Sequence, residues 1–217
     1  MSLLSLFSKK VEKKDATKLQ KILEKQIPVA ALQYAIDLWH EMPFSFTLSR
    51  SRSTCFGNYI FRNGHHKITV NHDINQYAFL ITYIHEIAHQ RTFQQHQGKR
   101  RKILPHGKEW KMNFQKLMQP LLNTTIFPES LLIPLTRYMQ NPAASSVSFM
   151  PLAAALKSFD DIQEEGHELA QIAVNQTFEF RGKTYQKIEN RRTRVLCMEV
   201  ATQRRFTIVG IVKVTLV

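Results

Sequence analysis

Cysteine is scarce in this chain of 217 residues, which contains only Cys55 and Cys197. Two cysteines so far apart in sequence cannot form a disulfide framework or a zinc site with four thiolate ligands. Long apolar runs are missing as well, because no stretch approaches the roughly 20 apolar residues that a membrane-spanning helix needs. The apolar run in MSLLSLFSKK is short for a signal peptide, and its lysines follow it instead of preceding it. We therefore expect a soluble, cytoplasmic protein.

Apolar residues nevertheless make up 43% of the sequence, including 14 Phe, which is enough to build a hydrophobic core. The pattern predicts an α+β chain with four segments. These are a basic N-terminal arm over 1–16, a main domain over 17–140, a linker or acidic helical segment over 141–175, and a small basic antiparallel β domain over 176–217.

In the main domain, apolar periodicity predicts helices and short strands. Pro28 should divide a helical region into two helices, Asn63-Gly64 should form a hairpin turn, and Asp73 could cap the central helix. The predicted helical regions are 17–41, 73–95, 107–118 and 128–140, and the predicted strands are 44–49, 56–61 and 67–70. The last 42 residues alternate apolar and polar side chains between turn signals, which predicts hairpins.

The net charge of +13 is concentrated in two blocks. Residues 91–116 carry eight basic and one acidic side chain, and residues 176–217 carry nine basic and three acidic ones. Basic blocks favour phosphate-rich or acidic partners, although solvated surfaces kept for solubility have the same composition.

The sequence HEIAH, residues 85–89, lies inside the predicted central helix. Two histidines four residues apart project from one face of a helix, so His85 and His89 can bind the same metal ion. Glu86 is placed to accept a proton from a water that zinc activates, without binding the ion itself. This pattern predicts a site for one zinc ion, with Glu86 as the general base of a hydrolase.

A catalytic zinc site needs a third protein ligand, and three downstream residues are candidates. His96 follows His89 by seven residues, whereas the metzincin pattern requires six and an intervening Gly, so His96 is rejected. Glu109 follows His89 by a spacing close to that of zincins with a Glu ligand. His106 opens the next helix in PHGKEW, where Glu109 could lie behind it. Spacing alone does not decide whether His106 or Glu109 is the third ligand, although it slightly favours His106.

Together, HEIAH and HGKEW resemble the SprT-like family, which includes SprT and Spartan. The matching residues are His85, Glu86, His89, His106, Gly107, Glu109 and Trp110, and KITVN (67–71) resembles the family strand that precedes the metal helix. The resemblance covers roughly residues 18–120. It implies a zincin-like metalloprotease domain, a third zinc ligand at His106, and, as a lead, action on proteins crosslinked to DNA. Glu109 then remains as a residue that supports His106 or as an alternative ligand.

The C-terminal region departs from the family, whose members often end in a zinc ribbon with paired cysteines. A basic hairpin sheet stands there instead, which predicts sequence-independent contacts with DNA. The candidate contacts are Arg100, Arg101 and Lys102 near the third ligand, and Arg191, Arg192 and Arg194 in the sheet. Other basic residues of this sheet are Arg181, Lys183, Lys187, Arg204 and Arg205.

Three functions fit these patterns. The first is a SprT-like zinc peptidase that acts on proteins on or near DNA. The second is a catalytically silent nucleic-acid-binding protein with structural zinc, although such a site has no use for Glu86. The third is a zinc hydrolase of non-peptide substrates, which is disfavoured because the KITV strand could offer an edge to an extended peptide.

Overall fold

The computed structural model describes residues 3–52, 55–98, 103–160 and 166–217. The chain divides into two compact units, Met1–Ser145 and Ser146–Val217. The predicted α+β class is confirmed, since the first unit combines helices with a three-stranded sheet and the second contains a six-stranded antiparallel sheet. Among the described residues, no helix is both long enough and apolar enough to cross a membrane.

The first unit contains five α-helices and three strands among its described residues. They are α1 (Leu3–Gln26), α2 (Leu32–Glu41), β1 (Ser45–Ser49), β2 (Gly57–Arg62), β3 (His65–Asn71), α3 (Gln76–His96), α4 (Lys108–Met118) and α5 (Glu129–Met139).

The N-terminal helices follow the predicted division, but they begin earlier. Helix α1 ends at Gln26, and a single 3-10 turn after Pro28 leads into α2. The break is expected because proline disfavours helical backbone in the residue before it. The arm predicted over 1–16 is instead mostly helical, since α1 already begins at Leu3.

The three strands are ordered β1-β3-β2. Strands β2 and β3 form the predicted hairpin, in which Asn63 and Gly64 both have positive φ, 52° and 76°, as a type I′ turn requires. Strand β1 pairs in parallel with the other side of β3. The interpretation of KITV as an edge is therefore wrong, because it lies in the central strand and the sheet edges are β1 and β2.

Helix α3 is the centre of the first unit. Its side chains are buried on several faces, including the fully buried Leu80, Ile84 and Ile87. The N-cap is Asn75, whose Oδ1 accepts hydrogen bonds from the N–H groups of Tyr77 and Ala78 at 3.1 and 2.9 Å. The cap expected at Asp73 is wrong, because the helix begins two residues too late for its side chain to reach these donors.

The second unit begins with a helix and closes with the sheet. Its main elements are α6 (Met150–Lys157), β4 (His167–Glu168), β5 (Thr177–Phe180), β6 (Lys183–Asn190), β7 (Arg194–Glu199), β8 (Arg205–Val209) and β9 (Lys213–Leu216). The sheet order is β4-β9-β5-β6-β7-β8. Helix α6 and β4 lie within the range 141–175, which is predicted as a linker or acidic helical segment, and both belong to this unit.

The core of the second unit includes one lysine that the sequence pattern placed on a basic surface. Lys187 is only 1% exposed, and its Nζ donates to the carbonyls of Leu169, Ala170 and Ile172 at 2.7–3.1 Å. Three carbonyl acceptors satisfy all three N–H donors of an ammonium group. Lys187 is therefore a structural residue that ties the chain at 169–172 to β6, and it is not available to a nucleic acid.

Candidate active site

Three imidazole rings converge on one point of the first unit. Helix α3 presents His85 and His89 one turn apart, and the chain just before α4 brings His106 back to them. The three Nε2 atoms form a triangle with sides of 3.0, 3.2 and 3.2 Å. Among the described residues, these three form the group of His, Cys, Asp or Glu side chains that could hold a metal ion.

This triangle cannot be satisfied by hydrogen bonds alone. Each Nε2 of a neutral imidazole either carries a proton or offers a lone pair, so at least two of the three atoms must be alike. At least one side of the triangle then joins two donors or two acceptors, which is unfavourable in a partly buried site. A cation that accepts a lone pair from each nitrogen removes the conflict.

The dimensions of the triangle fit zinc. Tetrahedral coordination with Zn–N bonds of about 2.0–2.1 Å separates ligand nitrogens by about 3.3 Å, close to the observed 3.0–3.2 Å. Burial lowers the pKa of all three imidazoles, and charge on a neighbouring ring lowers that of His85 and His89 further. Low basicity keeps the rings neutral, which is the form that binds a metal.

An aromatic pair supports the histidines from behind. The indole of Trp110 is fully buried and lies with its centroid 4.6–5.4 Å from the rings of His85, His89 and His106. Phe114 stacks on Trp110 at 5.0 Å, one turn along α4. Packed aromatic side chains restrict the rotamers of the rings they touch, so this pair holds the triangle in shape.

The structure separates the three candidates for a third ligand. His106 completes the triangle, whereas Glu109 does not belong to the metal-binding group. Glu109 lies in the first turn of α4, three residues after His106 in the sequence. His96 ends α3, where its Nδ1 lies 3.0 Å from the carbonyl oxygen of Thr92. The geometry therefore favours His106.

Glu86 lies beside the histidines and is only 5% exposed. Burial raises the pKa of Glu86 to about 8, while the charge of Arg52 and the backbone N–H of Tyr59 in β2 lower it. A cation at the neighbouring histidines would favour the ionised carboxylate as well. Glu86 is thus a buried carboxylate whose basicity is raised by its surroundings.

A glycine permits the close approach of β2 to this carboxylate. A Cβ atom placed on Gly57 would lie 2.5 Å from Oε1 of Glu86 and 2.6 Å from Cγ2 of Thr82. Both distances are far inside van der Waals contact. Only glycine therefore lets the first residue of β2 pack directly against α3 at the level of Glu86.

Asn71 fixes the chain that leads into Gly57. It is 1% exposed, and its Oδ1 accepts from Ser49 Oγ at 3.0 Å and from Arg52 Nε at 2.9 Å. Its Nδ2 donates to the carbonyls of Arg52 and Cys55, and its N–H donates to the carbonyl of Phe56. One side chain thus holds both the approach to β2 and the guanidinium whose charge acts on Glu86.

Strand β2 turns its outer edge toward Glu86. Residue pairs in an antiparallel ladder alternate between hydrogen-bonded and non-hydrogen-bonded, and Asn71 donates to Phe56 next to the pair Gly57–Val70. The backbone groups of Gly57, Tyr59 and Phe61 therefore point away from β3. The lowering of the Glu86 pKa by the Tyr59 N–H agrees with this orientation.

Of the six candidate nucleic-acid contacts, three belong to the described residues and three do not. Arg100, Arg101 and Lys102 lie outside the described residues. Arg191, Arg192 and Arg194 are exposed around the β6–β7 turn, but Arg191 pairs with Glu189 at 3.1 Å and Arg194 donates to the carbonyl of Thr207.

Sequence reasoning missed the residues that position Glu86. Gly57 carried a usable signal, because a glycine inside a predicted strand often marks a close backbone approach. Asn71 was noted only as the end of KITVN, and its buried hydrogen bonds could not be read from its position. Arg52 and Tyr59 carried no signal, since both depend on how the strands pack against α3.

Residues 31–128 match the model of the SprT-like family. This segment contains all three histidines, Glu86 and every residue found to position it. No curated protein and no solved structure matches the chain.

Replacing His106 with Ala should abolish most metal binding, whereas replacing Glu109 with Ala should leave it intact. Loss of one of three ligands should weaken zinc binding by more than about 100-fold, beyond the effect of losing an outer-shell partner. Wild-type protein should hold one equivalent of zinc and not two. Elemental analysis and competition with a chromophoric chelator measure both quantities. Zinc lost from the Glu109 variant and kept by the His106 variant would move the third ligand to Glu109.

Proposed function

Because residues 31–128 match the model of the SprT-like family, we propose that this protein is a zinc-dependent peptidase. In this proposal His85, His89 and His106 hold the zinc ion, and Glu86 is the general base. The observation that carries the proposal is a buried carboxylate beside a triangle of imidazole nitrogens whose dimensions fit zinc. Metallopeptidases combine these two elements.

The chemistry assigned to the protein residues is a proton relay. Zinc, when bound, supplies a Lewis acid that polarises the peptide carbonyl and makes water acidic near neutral pH. Glu86 takes a proton from the attacking water as its oxygen bonds to the carbonyl carbon. Glu86 then delivers that proton to the amide nitrogen as the C–N bond breaks, so the carboxylate returns to its starting state.

The outer edge of β2 offers a track for the substrate backbone. An extended peptide adds as a strand to a sheet edge and gains main-chain hydrogen bonds. The carbonyl of Tyr59 and both backbone groups of Phe61 point to this edge, next to Glu86. Edge pairing therefore supports a peptide substrate over a non-peptide one, and β2 takes the role that the sequence analysis gave to the KITV strand.

The alternative of a catalytically silent protein with structural zinc fits the site less well. Structural zinc sites are closed by four protein ligands, whereas the described residues offer three. A cleft of about 640 Å³ also borders Glu86, His89 and His106. Three ligands and an adjoining cleft leave room for water and substrate.

We also propose that the second unit binds single-stranded nucleic acid and so directs the peptidase to proteins held on it. The support is the basic composition of residues 176–217, which carry nine basic and three acidic side chains, and the exposed side chains of Arg192, Arg204 and Arg205. Arg205 begins β8, and Phe206, whose side chain points to the opposite face of the strand, is 41% exposed. Exposed arginines suit phosphate contacts, and an exposed aromatic ring suits base stacking.

Replacing Glu86 with Gln should remove peptidase activity without removing zinc. The amide has the same shape but cannot accept the proton, and loss of general-base assistance typically lowers rates by about 10²–10⁴-fold. Hydrolysis of an unfolded protein by zinc-loaded wild type and variant, normalised to metal content, measures the effect. Wild-type rates in the Glu86→Gln protein would rule out the proposed mechanism.

Replacing Arg192, Arg204 and Arg205 together with Ala should weaken binding of unrelated single-stranded oligonucleotides equally. The log–log salt dependence should become shallower by about 0.7 per lost contact. A matched control replaces the exposed Lys18, Lys21 and Lys25 of α1, which removes the same charge from the first unit. Fluorescence anisotropy at several salt concentrations should show the change only in the arginine variant. Equal effects in both variants would argue against a binding surface in the second unit.

A further inference from the structure

The cleft beside the metal triangle extends into an apolar pocket. Its floor contains Glu86, His89, His106 and Trp110, as described above. Five further lining residues are apolar or aromatic, namely Tyr59 and Phe93 from β2 and α3, and Ile103, Leu104 and Pro105 from the segment before His106. Asn58, Thr92, His96 and Gln97 also line it.

The two aromatic lining residues are braced by neighbouring rings. The hydroxyl of Tyr59 lies 2.9 Å from Nδ1 of His66, and the two rings are nearly parallel with centroids 5.9 Å apart. Phe61 packs against Phe93 with ring centroids 4.5 Å apart. Because the Tyr59 hydroxyl already contacts His66, Tyr59 contributes its aromatic ring to the pocket rather than a free polar group.

The segment before His106 exposes a large apolar side chain. Leu104 is 66% exposed, and its carbonyl accepts a hydrogen bond from Gly107 N–H at 3.0 Å. This turn links Leu104 to His106. An isolated exposed leucine has little meaning, but one that lines the same cleft as Tyr59, Phe93 and His106 is typical of a ligand pocket.

Charge separates this pocket from its neighbour. Among the described residues that line it, the ionisable ones are Tyr59, Glu86, His89, His96 and His106. None of these described lining residues is Lys, Arg or Asp. A second depression of about 410 Å³ lies on the other side of His106 and includes Lys108 and Lys111. An apolar substrate side chain would bury its surface against Tyr59, Phe93 and Leu104.

We infer that the pocket selects a large apolar side chain, aromatic or aliphatic, at one substrate position next to the scissile bond. This inference rests on the proposed peptidase function. A substrate strand along the outer edge of β2 directs alternate side chains to the same side, and one of them meets Tyr59 and Phe93. Main-chain hydrogen bonds to β2 can form with a substrate of any sequence. The preference for particular substrate residues therefore comes from this pocket.

The test begins with cleavage sites in an unfolded protein, mapped by mass spectrometry with zinc-loaded wild type. Large apolar residues should be enriched at a single position adjoining the scissile bond. Peptides that carry Phe or Gly at that position should then differ in kcat/KM by about 10–100-fold, the range that apolar pocket contacts provide. Phe93→Ala and Leu104→Ser should each reduce this ratio several-fold.

A matched control and a binding measurement complete the test. Ile133→Ser removes another exposed apolar side chain, one that lines neither depression, and should keep the wild-type ratio. The zinc-loaded Glu86→Gln protein should bind the Phe peptide more tightly than the Gly peptide, and Leu104→Ser in that background should reduce the difference. Glu86-dependent cleavage without apolar enrichment would overturn the pocket inference alone. Absence of Glu86-dependent cleavage would overturn the peptidase proposal and this inference with it.

Discussion

The contact between Gly57 and Glu86 is the constraint on which the site depends. A catalytic carboxylate must be buried enough to be basic and still reach a water beside the metal. Strand β2 packs directly against α3 at Glu86 because its first residue has no side chain. The same packing brings the outer edge of β2 to Glu86, so the positions proposed for the base and for the substrate backbone both depend on one approach of strand to helix.

The triangle of histidine nitrogens depends on one helix and on one segment that is more distant in the sequence. A helix alone sets His85 and His89 one turn apart, but the third nitrogen arrives through the turn before α4. Trp110 follows His106 by one helical turn and contacts all three rings. One short segment therefore supplies both a ligand and the support for the other two, which explains why HEIAH and HGKEW form a single functional unit.

Features with a local cause could be predicted from the sequence. The break at Pro28, the hairpin at Asn63-Gly64 and the shared face of His85 and His89 all follow from backbone geometry within a few residues. Spacing alone did not decide between His106 and Glu109, because it does not show which side chain a turn directs toward α3. The family resemblance favoured His106, and the structure brings that residue to the other two histidines.

Features set by packing could not be predicted. Strand order decides that KITV is central and that β2 is the edge, and no residue within either strand encodes that order. Lys187 looked like one more surface cation because its three carbonyl acceptors come from a different segment of the chain. Strand β4 has only two residues, so it shows no periodicity, and it forms by pairing with β9, which also pairs with β5.

The kcat of a Gly57→Ala protein loaded with zinc tests most directly whether the contact between Gly57 and Glu86 positions the carboxylate for catalysis. The added Cβ would clash with the Glu86 carboxylate and with Thr82, so β2 or the carboxylate must shift while the histidines stay in place. A displacement near 1 Å from the reactive geometry lowers rates by about 100-fold. The account predicts a loss of kcat of that order with unchanged zinc content and a folded first unit. Wild-type kcat in this variant would contradict it.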